Sequence, residues 1–499
     1  MSTLVRVHQK EKVVRMRWWA LIALSVAQLM ISVDSTIVNI ALPSAQRALG
    51  ISAAERQWVL TAYLLAFGGL LLFGGRVADR IGRKRAFLVG VGGFALASLA
   101  AGAAQSATML LGARALQGVF ASLLAPAALS LLAVLFTDSA ERARALGVFS
   151  AIAGSGAAVG LIAGGALTQY ASWRWALLVN LPVGLGVLAA GAATIHDVPG
   201  SRNSEPVDVL GAVLVTSALM SLIYALSRAQ VAGWGAPLTL CLFALAGVLL
   251  ATFAGVERRE SAPLLPPHIV ADRNRGGVYL SQALSVMAMF GLLLFLTYDM
   301  QTVQHYSALI TGVAFLPLVA GMVLGATVLA PPVMARVAQR VPIVLGCLLS
   351  TLGMLILTQL SLHTSYAAVL LPGQLVFGLG LGLAFAPSMH LATHKIDPRE
   401  SGIASATINA SQQIGGAIGA ALLNTLAASA TARWLESHHS AATLLQASVR
   451  GYVVDARWAS GIAALAAVVG LIAISAPATG QAASTSPRAS AARAGAGSR

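Results

Sequence analysis

The chain has 499 residues, of which 57% are hydrophobic and only 10% are charged, and its mean hydropathy is +0.80. Soluble proteins carry roughly 25% charged residues, so this composition excludes a soluble globular domain and indicates a polytopic membrane protein. The net charge of +15 is divided among short clusters between apolar runs. The basic residues therefore predict membrane topology, and no nucleic-acid partner is expected.

The sequence offers no site for redox, metal or nucleotide chemistry. Cys241 and Cys347 lie inside apolar runs, too far from polar loops to form an obvious disulfide or metal pair. No metal-ligand cluster is apparent, and no Gly-x-x-x-x-Gly-Lys loop is present to hold the phosphates of ATP. We therefore expect neither an enzyme nor an ATP-driven pump, and we expect no cofactor.

Apolar runs of about 20 residues, the length needed to cross a bilayer, predict fourteen membrane-spanning helices. The first run is longer than the apolar region of a signal peptide and lacks a clear small-residue cleavage site, so it is expected to remain uncleaved. The predicted spans lie near residues 18–42, 56–75, 86–105, 107–132, 143–168, 173–195, 208–228, 237–256, 276–300, 308–332, 341–361, 365–390, 402–429 and 456–476.

These spans predict an all-α polytopic membrane fold of two six-helix bundles with two helices inserted between them. The expected parts are a cytoplasmic tail at 1–17, an N-terminal bundle at 18–200, the inserted pair with its linkers at 201–275, a C-terminal bundle at 276–476 and a disordered cytoplasmic tail at 477–499. Of the 32 Lys and Arg residues, 24 fall on the side of the N-terminus and 7 on the opposite side. This bias predicts a multi-pass inner-membrane protein with both termini in the cytoplasm.

The two six-span blocks resemble each other in sequence. The segment 76–82 reappears at 336–342 with an offset of 260, and Arg144, Gly147, Gly160 and Gly164 match Arg399, Gly402, Gly415 and Gly419 with an offset of 255. Duplicated helix bundles are typical of secondary transporters.

One acid stands out in the first span. Asp34 is the only charge within residues 18–42, and among the 17 Asp and Glu residues it is the only one placed well inside a predicted span. Burying that charge in hydrocarbon costs a few kcal/mol, so an intramembrane acid is a functional-site hypothesis. A desolvated carboxylate can take up and release a proton near neutral pH as its surroundings change. The alternative is a satisfied polar residue that only holds helices together.

Arg114 is predicted to lie at the same depth as Asp34. Asp34 precedes Pro43 by nine residues at the outer end of span one, and Arg114 follows Ala107 by seven residues at the outer end of span four. At 1.5 Å per residue, both lie about 10 to 14 Å below the outer surface. They can therefore face each other or share water, although Arg114 can equally be a packing residue bonded to backbone carbonyls.

Several motifs, in the right order and on the right spans, resemble those of the major facilitator superfamily, and within it the 14-span drug:proton antiporters that include quaternary-ammonium-type multidrug exporters. They are residues 34–43 in the first span, 75–85 after the second, Arg114, Gln117 and Gly118 in the fourth, Gly156, Gly160, Gly164 and Gly165 in the fifth, 173–175 with Asn180 and Pro182 in the sixth, and 402–405 with 412–416 in the thirteenth.

The resemblance implies roles for three of these motifs. It implies a part in proton coupling for Arg114 beside Asp34. It implies a cytoplasmic gate at Gly75, Asp79, Arg80, Gly82 and Arg83, in which Asp79 ties cytoplasmic helix ends together, although topology alone also favours the basic residues. In the repeat, Gln339 stands in place of Asp79.

The glycines of the fifth span are the third of these motifs. The resemblance associates Gly156, Gly160, Gly164 and Gly165 with export. Close helix packing is the alternative, because small residues four apart let helix backbones approach each other. The family commonly has proline after the central glycine, whereas Leu161 follows Gly160 here, so less kinking of this helix is expected.

Substrate contacts are poorly specified by the sequence. A pocket for amphipathic molecules near mid-membrane needs polar and aromatic residues, although ordinary packing explains each candidate equally well. The candidates are Gln28, Asn39, Tyr63, Phe67, Gln117, Phe290, Phe295, Asn409 and Gln412. Asp299 is predicted to lie at the membrane interface, at the outer end of its span, with His305 in the following turn.

The sequence thus predicts a proton-coupled secondary exporter of amphipathic or cationic drugs and toxic small molecules. Its expected partners are the lipid bilayer, protons and the small-molecule substrate, and a periplasmic adaptor protein stays open. The proton gradient is the expected energy source. Two alternatives also stay open: a transporter dedicated to one endogenous metabolite, and a membrane sensor or scaffold that transports nothing.

Overall fold

The computed structural model describes residues 2–52, 55–136, 138–195, 208–260, 263–393, 401–437 and 443–475. Within these ranges the regular structure is helical and no strand occurs. The predicted C-terminal tail at 477–499 and residues 201–207 at the start of the predicted linker lie outside the described residues.

The first bundle contains seven helical segments. They are α1 (Ser2–Leu49), α2 (Arg56–Ile81), α3 (Arg83–Gly102), α4 (Ala107–Leu135), α5 (Ser139–Tyr170), α6 (Trp173–Leu178) and α7 (Asn180–Thr194). The helix α1 begins at Ser2, so residues 2–17 of the predicted N-terminal tail are helical, and the stretch of α1 apolar enough to span a membrane is Met16–Leu49. The sixth span is broken at Val179, which places Asn180 at the start of its longer half.

The inserted pair and the second bundle complete the chain. The pair is α8 (Val209–Ala232) and α9 (Pro237–Glu257), followed by the short α10 (Pro267–Val270). The second bundle contains α11 (Arg273–Tyr298), α12 (Ala308–Ala314), α13 (Leu316–Leu324), α14 (Ala330–Arg336), α15 (Arg340–Leu357), α16 (Leu371–Thr393), α17 (Ser401–Glu436) and α18 (Thr443–Ala473), with π-helical turns at Asp299–Val303, Gly325–Leu329 and Tyr366–Leu370.

All fourteen predicted spans lie on helices. Among the described residues, thirteen helical stretches are long and apolar enough to cross a membrane, and α5 adds a fourteenth long helix of 32 residues. The predicted all-α fold is confirmed; thirteen of the fourteen predicted spans coincide with these apolar helices, and the fifth coincides with α5. The last span begins earlier than expected, because α18 starts at Thr443 and carries Asp455 within the helix.

The local sequence explains where α3 and α4 begin. Gly82 joins α2 to α3 with a backbone φ of +98°, a conformation that residues with a Cβ avoid. Ser106 begins α4 as an N-cap, where its Oγ accepts a hydrogen bond of 3.2 Å from the Met109 backbone N–H.

The two bundles pack their helices in the same pattern. In the first, α1 packs on α5 and α7, and α4 packs on α2 and α3. In the second, α11 packs on α17 and α18, and α16 packs on α13 and α15. Gly160 and Gly164 of α5 approach α1 at Val33 and Ile37. Their counterparts by the 255-residue offset, Gly415 and Gly419 of α17, approach α11 at Ala283 and Met287.

The bundles meet at two helix pairs, which we call the α2–α17 seam and the α5–α12 seam. The inserted helix α8 packs against both members of the α2–α17 seam. Trp58 Nε1 donates to Ser227 Oγ at 3.1 Å, and Thr425 Oγ1 donates to the Leu226 carbonyl at the same distance. The inserted pair therefore contacts both bundles through α8.

Candidate functional site

Asp34 forms a buried ion pair with Arg114. Asp34 Oδ2 lies 2.5 Å from Arg114 NH1, and both side chains are completely inaccessible to solvent. The carboxylate comes from α1 and the guanidinium from α4. The two residues placed at equal depth by the sequence are thus in direct contact.

Two amides also donate to Asp34. Gln117 Nε2 donates to Asp34 Oδ1 at 3.1 Å, and Asn180 Nδ2 donates to the same oxygen at 2.9 Å. Ser98 Oγ accepts from both amides at 3.0 Å and donates to the Leu177 carbonyl at 2.7 Å. Because Gln117, Asn180 and Ser98 are also buried, the network joins α1, α3, α4 and α7 around one carboxylate.

The guanidinium of Arg114 has further partners on α2 and α4. Its Nε donates to the Val59 carbonyl at 3.1 Å, and its NH1 donates to Gln117 Oε1 at 2.8 Å. Its Cζ lies 4.5 Å from the centroid of the Tyr63 ring, in a cation–π contact. Both roles considered for Arg114 therefore occur together, since it pairs with the acid and also bonds a backbone carbonyl.

One cation and two amide groups donate to the Asp34 carboxylate, and charge-assisted hydrogen bonds of this kind are the strong ones. Arg114 NH2 finds no hydrogen-bond acceptor among the described residues. A buried ion pair loses most of its stabilisation when one charge is removed. Removing the charge of either residue would therefore weaken the contact between α1 and α4.

The second bundle lacks this ion pair. Gly118 packs on the Tyr63 carbonyl in the first bundle and Gly378 packs on the Leu318 carbonyl in the second, so Gln374 occupies the place of Arg114. The matching contacts of α1 and α11 put Leu284 in the place of Asp34. The duplicated fold therefore carries this charged pair in the first bundle alone.

The glycines of α5 support the helix turn that carries Asp34. A methyl group placed at Gly160 would lie 2.8 Å from the Val33 carbonyl, and one placed at Gly164 would lie 2.9 Å from Ile37 Cγ1. Gly156 approaches Ser32 in the same way, whereas Gly165 faces Ala308 across the α5–α12 seam. The motif thus sets the position of α1 and also the contact between the bundles.

The structure gathers only some of the predicted substrate residues near Asp34. Gln117 and Tyr63 belong to the network, and Phe67 packs against Tyr63 with ring centroids 5.8 Å apart. Asn39 is buried one turn away and donates to the Ser35 carbonyl of its own helix. The remaining candidates lie elsewhere: Phe290 packs on Gly416, Phe295 stacks on Tyr452, and Gln28, Asn409 and Gln412 are half-buried on α1 and α17.

The predicted gate residues lie at the turn between α2 and α3. Asp79 Oδ1 lies 3.3 Å from Arg83 Nε, and both side chains are partly exposed. Arg76 NH2 donates to the Pro263 carbonyl at 3.0 Å, on the link between the inserted pair and the second bundle. Gly75 packs near Pro126, and Arg80 is exposed. In this conformation Asp79 is thus engaged within its own loop.

The opposite ends of the bundles are joined where α1 ends and α2 begins, a region we call the α1–α2 end. Arg56 Nε and NH2 donate to Asn424 Oδ1 at 2.9 and 2.8 Å, and the Arg56 guanidinium lies 4.3 Å from the Tyr298 ring centroid. Tyr298 Oη donates to Gln46 Oε1. These contacts connect the first bundle to the second and close this end of the molecule.

Replacing Arg56 by glutamine is expected to open the α1–α2 end. The change removes two hydrogen bonds from a charged donor, each worth about 1.5–3 kcal/mol, and so shifts the population towards the open form by tenfold or more. Distances between spin labels at Ala48 and Glu436 measure the opening. Arg47→Gln is the control, because Arg47 donates to Pro43 within its own helix. Equal distance distributions in wild type and Arg56→Gln would contradict this prediction.

Known proteins are similar to this chain in sequence and in fold. The family model described as Major Facilitator Superfamily matches residues 24–420. The chain belongs to the major facilitator superfamily. It is 48% identical to the puromycin resistance protein pur8 of Streptomyces alboniger over 461 residues, covering 92% of this chain and 91% of that protein.

Other superfamily members match at lower identity. The cephamycin export protein CmcT of Amycolatopsis lactamdurans is 37% identical, covering 83% of this chain and 85% of that protein. The multidrug resistance protein Stp of Mycobacterium tuberculosis is 32% identical, covering 84% and 77%. A bacterial homologue of the lysosomal transporter Spinster, solved in an inward-facing unoccupied form, has the same fold with a TM-score of 0.61 at 17% identity, covering 93% of this chain and 99% of that one.

The sequence did not predict several of the buried polar residues that the structure shows. Ser98 and Asn180 were not assigned to the site, although Asn180 belongs to a recognised motif and Ser98 is a polar residue in an apolar run. Asp299 lies at the end of α11, the predicted outer end of its span, and its side chain is completely buried within the protein. Asp455 was overlooked as a buried acid because its span was expected to begin after it. No group of His, Cys, Asp or Glu suited to a metal occurs in the described part of the chain.

Proposed function

We propose that this protein is a proton-coupled exporter of amphipathic antibiotics across the inner membrane. The observation that carries the proposal is the buried network around Asp34, in which one carboxylate inside the membrane is held by Arg114, Gln117 and Asn180. An ionisable group at such a depth is expensive and marks a proton or substrate pathway. The similarity to proteins named for antibiotic resistance and export supports the same function.

In the proposed mechanism, a proton and the guanidinium of Arg114 compete for the Asp34 carboxylate. In the present conformation Arg114 neutralises the carboxylate, so the site is compatible with a deprotonated acid. When a proton binds from outside, Arg114 loses its partner and the packing of α1 against α4 and α5 changes. The substrate and the proton then favour different orientations of the two bundles, which couples their fluxes.

We infer from the positive-inside bias that the α1–α2 end faces the outer side of the membrane. The interbundle contacts of Arg56 and Tyr298 lie at that end, so in the proposed orientation this conformation is closed towards the outside. Asp79 pairs with Arg83 in this state. We infer that Asp79 changes partners when the cytoplasmic ends of the bundles come together.

Transport of puromycin in proteoliposomes tests the proposal. An imposed proton gradient is expected to drive accumulation by the wild-type protein, and Asp34→Asn is expected to abolish it, because an amide cannot bind the transported proton. Downhill exchange of substrate should persist in the variant. Glu436→Gln removes an exposed acid at the α1–α2 end and is the matched control. Accumulation by Asp34→Asn at the wild-type level would overturn the role of Asp34.

The breadth of the substrate range separates two forms of this function. The relatives include proteins named for one compound, such as puromycin or cephamycin, and one named for multidrug resistance. The same proteoliposomes challenged with a panel of cationic dyes and antibiotics distinguish a dedicated exporter from a multidrug exporter. Proton-driven flux of any compound in that panel would exclude a sensor or scaffold.

A further inference from the structure

The second bundle holds two buried acids of its own. Asp299, at the end of α11, is completely buried, and Asp455 on α18 is 2% exposed. Neither belongs to an ion pair among the described residues. Neither oxygen of Asp299 accepts a hydrogen bond of ordinary geometry, although Gln304 is a neighbouring donor, and Oδ2 of Asp455 also lacks a donor.

The two acids and a tyrosine lie in a row along α11. Asp455 Oδ2 would lie 3.3 Å from a methyl group placed at Gly291, and the Tyr452 ring stacks on Phe295 with centroids 6.5 Å apart. Gly291, Phe295 and Asp299 follow one another at four-residue steps on one side of α11. At 1.5 Å per residue, the row from Asp299 through Tyr452 to Asp455 extends about 12 Å into the membrane.

The charged and titratable groups around this row are few. Arg56 of α2 acts electrostatically on Asp455 and Tyr452, and Arg47 of α1 acts on Tyr298. The guanidinium of Arg56 is already bonded to Asn424, whose Nδ2 in turn donates to Gln57 Oε1 at 2.9 Å. The nearest cation therefore belongs to the other bundle and would move away from the acids when the α1–α2 end opens.

A buried carboxyl group without hydrogen-bond donors is more stable protonated than ionised. An ionised carboxylate in such surroundings costs several kcal/mol, and the group takes up a proton instead. A buried carboxylate that stays ionised needs donors such as those that hold Asp34 in the first bundle. Asp299 and Asp455 are suited to hold protons, and opening of the α1–α2 end would give them access to outside water.

We propose that Asp299, Tyr452 and Asp455 form a second proton-binding site in the C-terminal bundle, loaded from the α1–α2 end. The proposal rests on the proposed proton coupling and extends it from one site to two. Asp299 receives the proton from outside, the Tyr452 hydroxyl relays it by accepting one proton as it donates another, and Asp455 holds it. The protein then moves one proton more per cycle than Asp34 alone carries. Proton exchange at Asp34 remains necessary for the change between conformations, so the second site adds to coupling and cannot replace Asp34.

Infrared spectroscopy of the purified protein in lipid nanodiscs tests proton binding without any substrate. At neutral pH, the carbonyl band of protonated carboxylic acids is expected to lose intensity in Asp299→Asn and in Asp455→Asn, and to lose the sum of both in the double variant. Glu436→Gln should leave the band unchanged. Tyr452→Phe should slow its rise after a pH jump and leave its final height intact. A band that is identical in wild type and both single variants overturns the proposal.

The proton-to-substrate ratio tests whether the second site is coupled to transport. With the membrane potential clamped at zero, each coupled proton lets a tenfold proton gradient support about a tenfold substrate gradient. Wild type is expected to reach about a hundredfold and Asp455→Asn about tenfold. Equal gradients in the two proteins overturn coupling. Absence of flux in wild type would instead refute the proposed function, while the infrared result still decides proton binding. Asp299→Asn provides the same test if Asp455→Asn fails to fold.

Discussion

Replacing Arg114 by methionine is expected to destabilise the folded protein by about 3–5 kcal/mol and to abolish proton-driven transport. The variant keeps much of the side-chain volume but leaves Asp34 buried without its cation, and an uncompensated buried charge is the main cost of breaking such a pair. Thermal unfolding in detergent or nanodiscs measures the loss of stability. Because Arg114 also bonds the Val59 carbonyl, α2 should loosen together with α1.

The double variant Asp34→Asn/Arg114→Met provides the control for this prediction. Removing both charges removes the uncompensated carboxylate, so the double variant is expected to recover much of the lost stability while remaining inactive in proton-driven transport. If Arg114→Met were as stable as wild type, Asp34 would be neutral or would have another counter-ion. If the double variant were less stable than either single variant, packing and not charge would explain the effect of Arg114.

Replacing Gly160 by alanine is expected to reduce transport severely while the protein remains in the membrane. The added methyl group would lie 2.8 Å from the Val33 carbonyl and closer still to Thr36 Oγ1, so α1 and α5 must separate. Overpacking of this kind costs about 1–3 kcal/mol. Since Val33 and Thr36 flank Asp34, the displacement also disturbs the hydrogen bonds of the carboxylate. Proton-driven uptake and thermal stability measure the two consequences.

Gly147→Ala is the matched control on the same helix. A methyl group at Gly147 meets no atom within 4 Å, so stability and transport should match wild type. Full transport by Gly160→Ala would show that α1 and α5 can separate without affecting the site. Loss of transport in both variants would show instead that α5 tolerates no change in backbone flexibility.

The parts of the site that the sequence predicted are those with an unusual residue in an apolar run. Asp34 and Arg114 are charges where charges are costly, and helix rise alone placed them at one depth. Ser98 and Asn180 could not be found in this way, because serine and asparagine are common in membrane helices and only the packing of α3 and α7 brings them to the carboxylate. The burial of the Asp299 side chain could not be predicted for a similar reason, since it depends on the π-helical turn and on α18.

The ends of helices were also hard to predict where polar residues are buried. Arg450, Asp455 and Arg457 interrupt the apolar character of the last span, so the apolar run begins only after them, although the helix starts at Thr443. The glycine motif was informative in part. Its four-residue spacing predicts close helix packing but does not identify the partner helix. The structure identifies the partner as the stretch of α1 that carries Asp34.

The position of the inserted helix α8 has a consequence for the route of a hydrophobic substrate. The two seams are equivalent in the duplicated fold, yet α8 packs on both α2 and α17, whereas none of the inserted helices packs against α5 or α12. Among the described residues, the α2–α17 seam is therefore covered by α8, and the inserted pair leaves the α5–α12 seam uncovered. Lateral access from the membrane is expected beside α5, where Gly165 of the glycine motif packs on Ala308 at the border between the bundles.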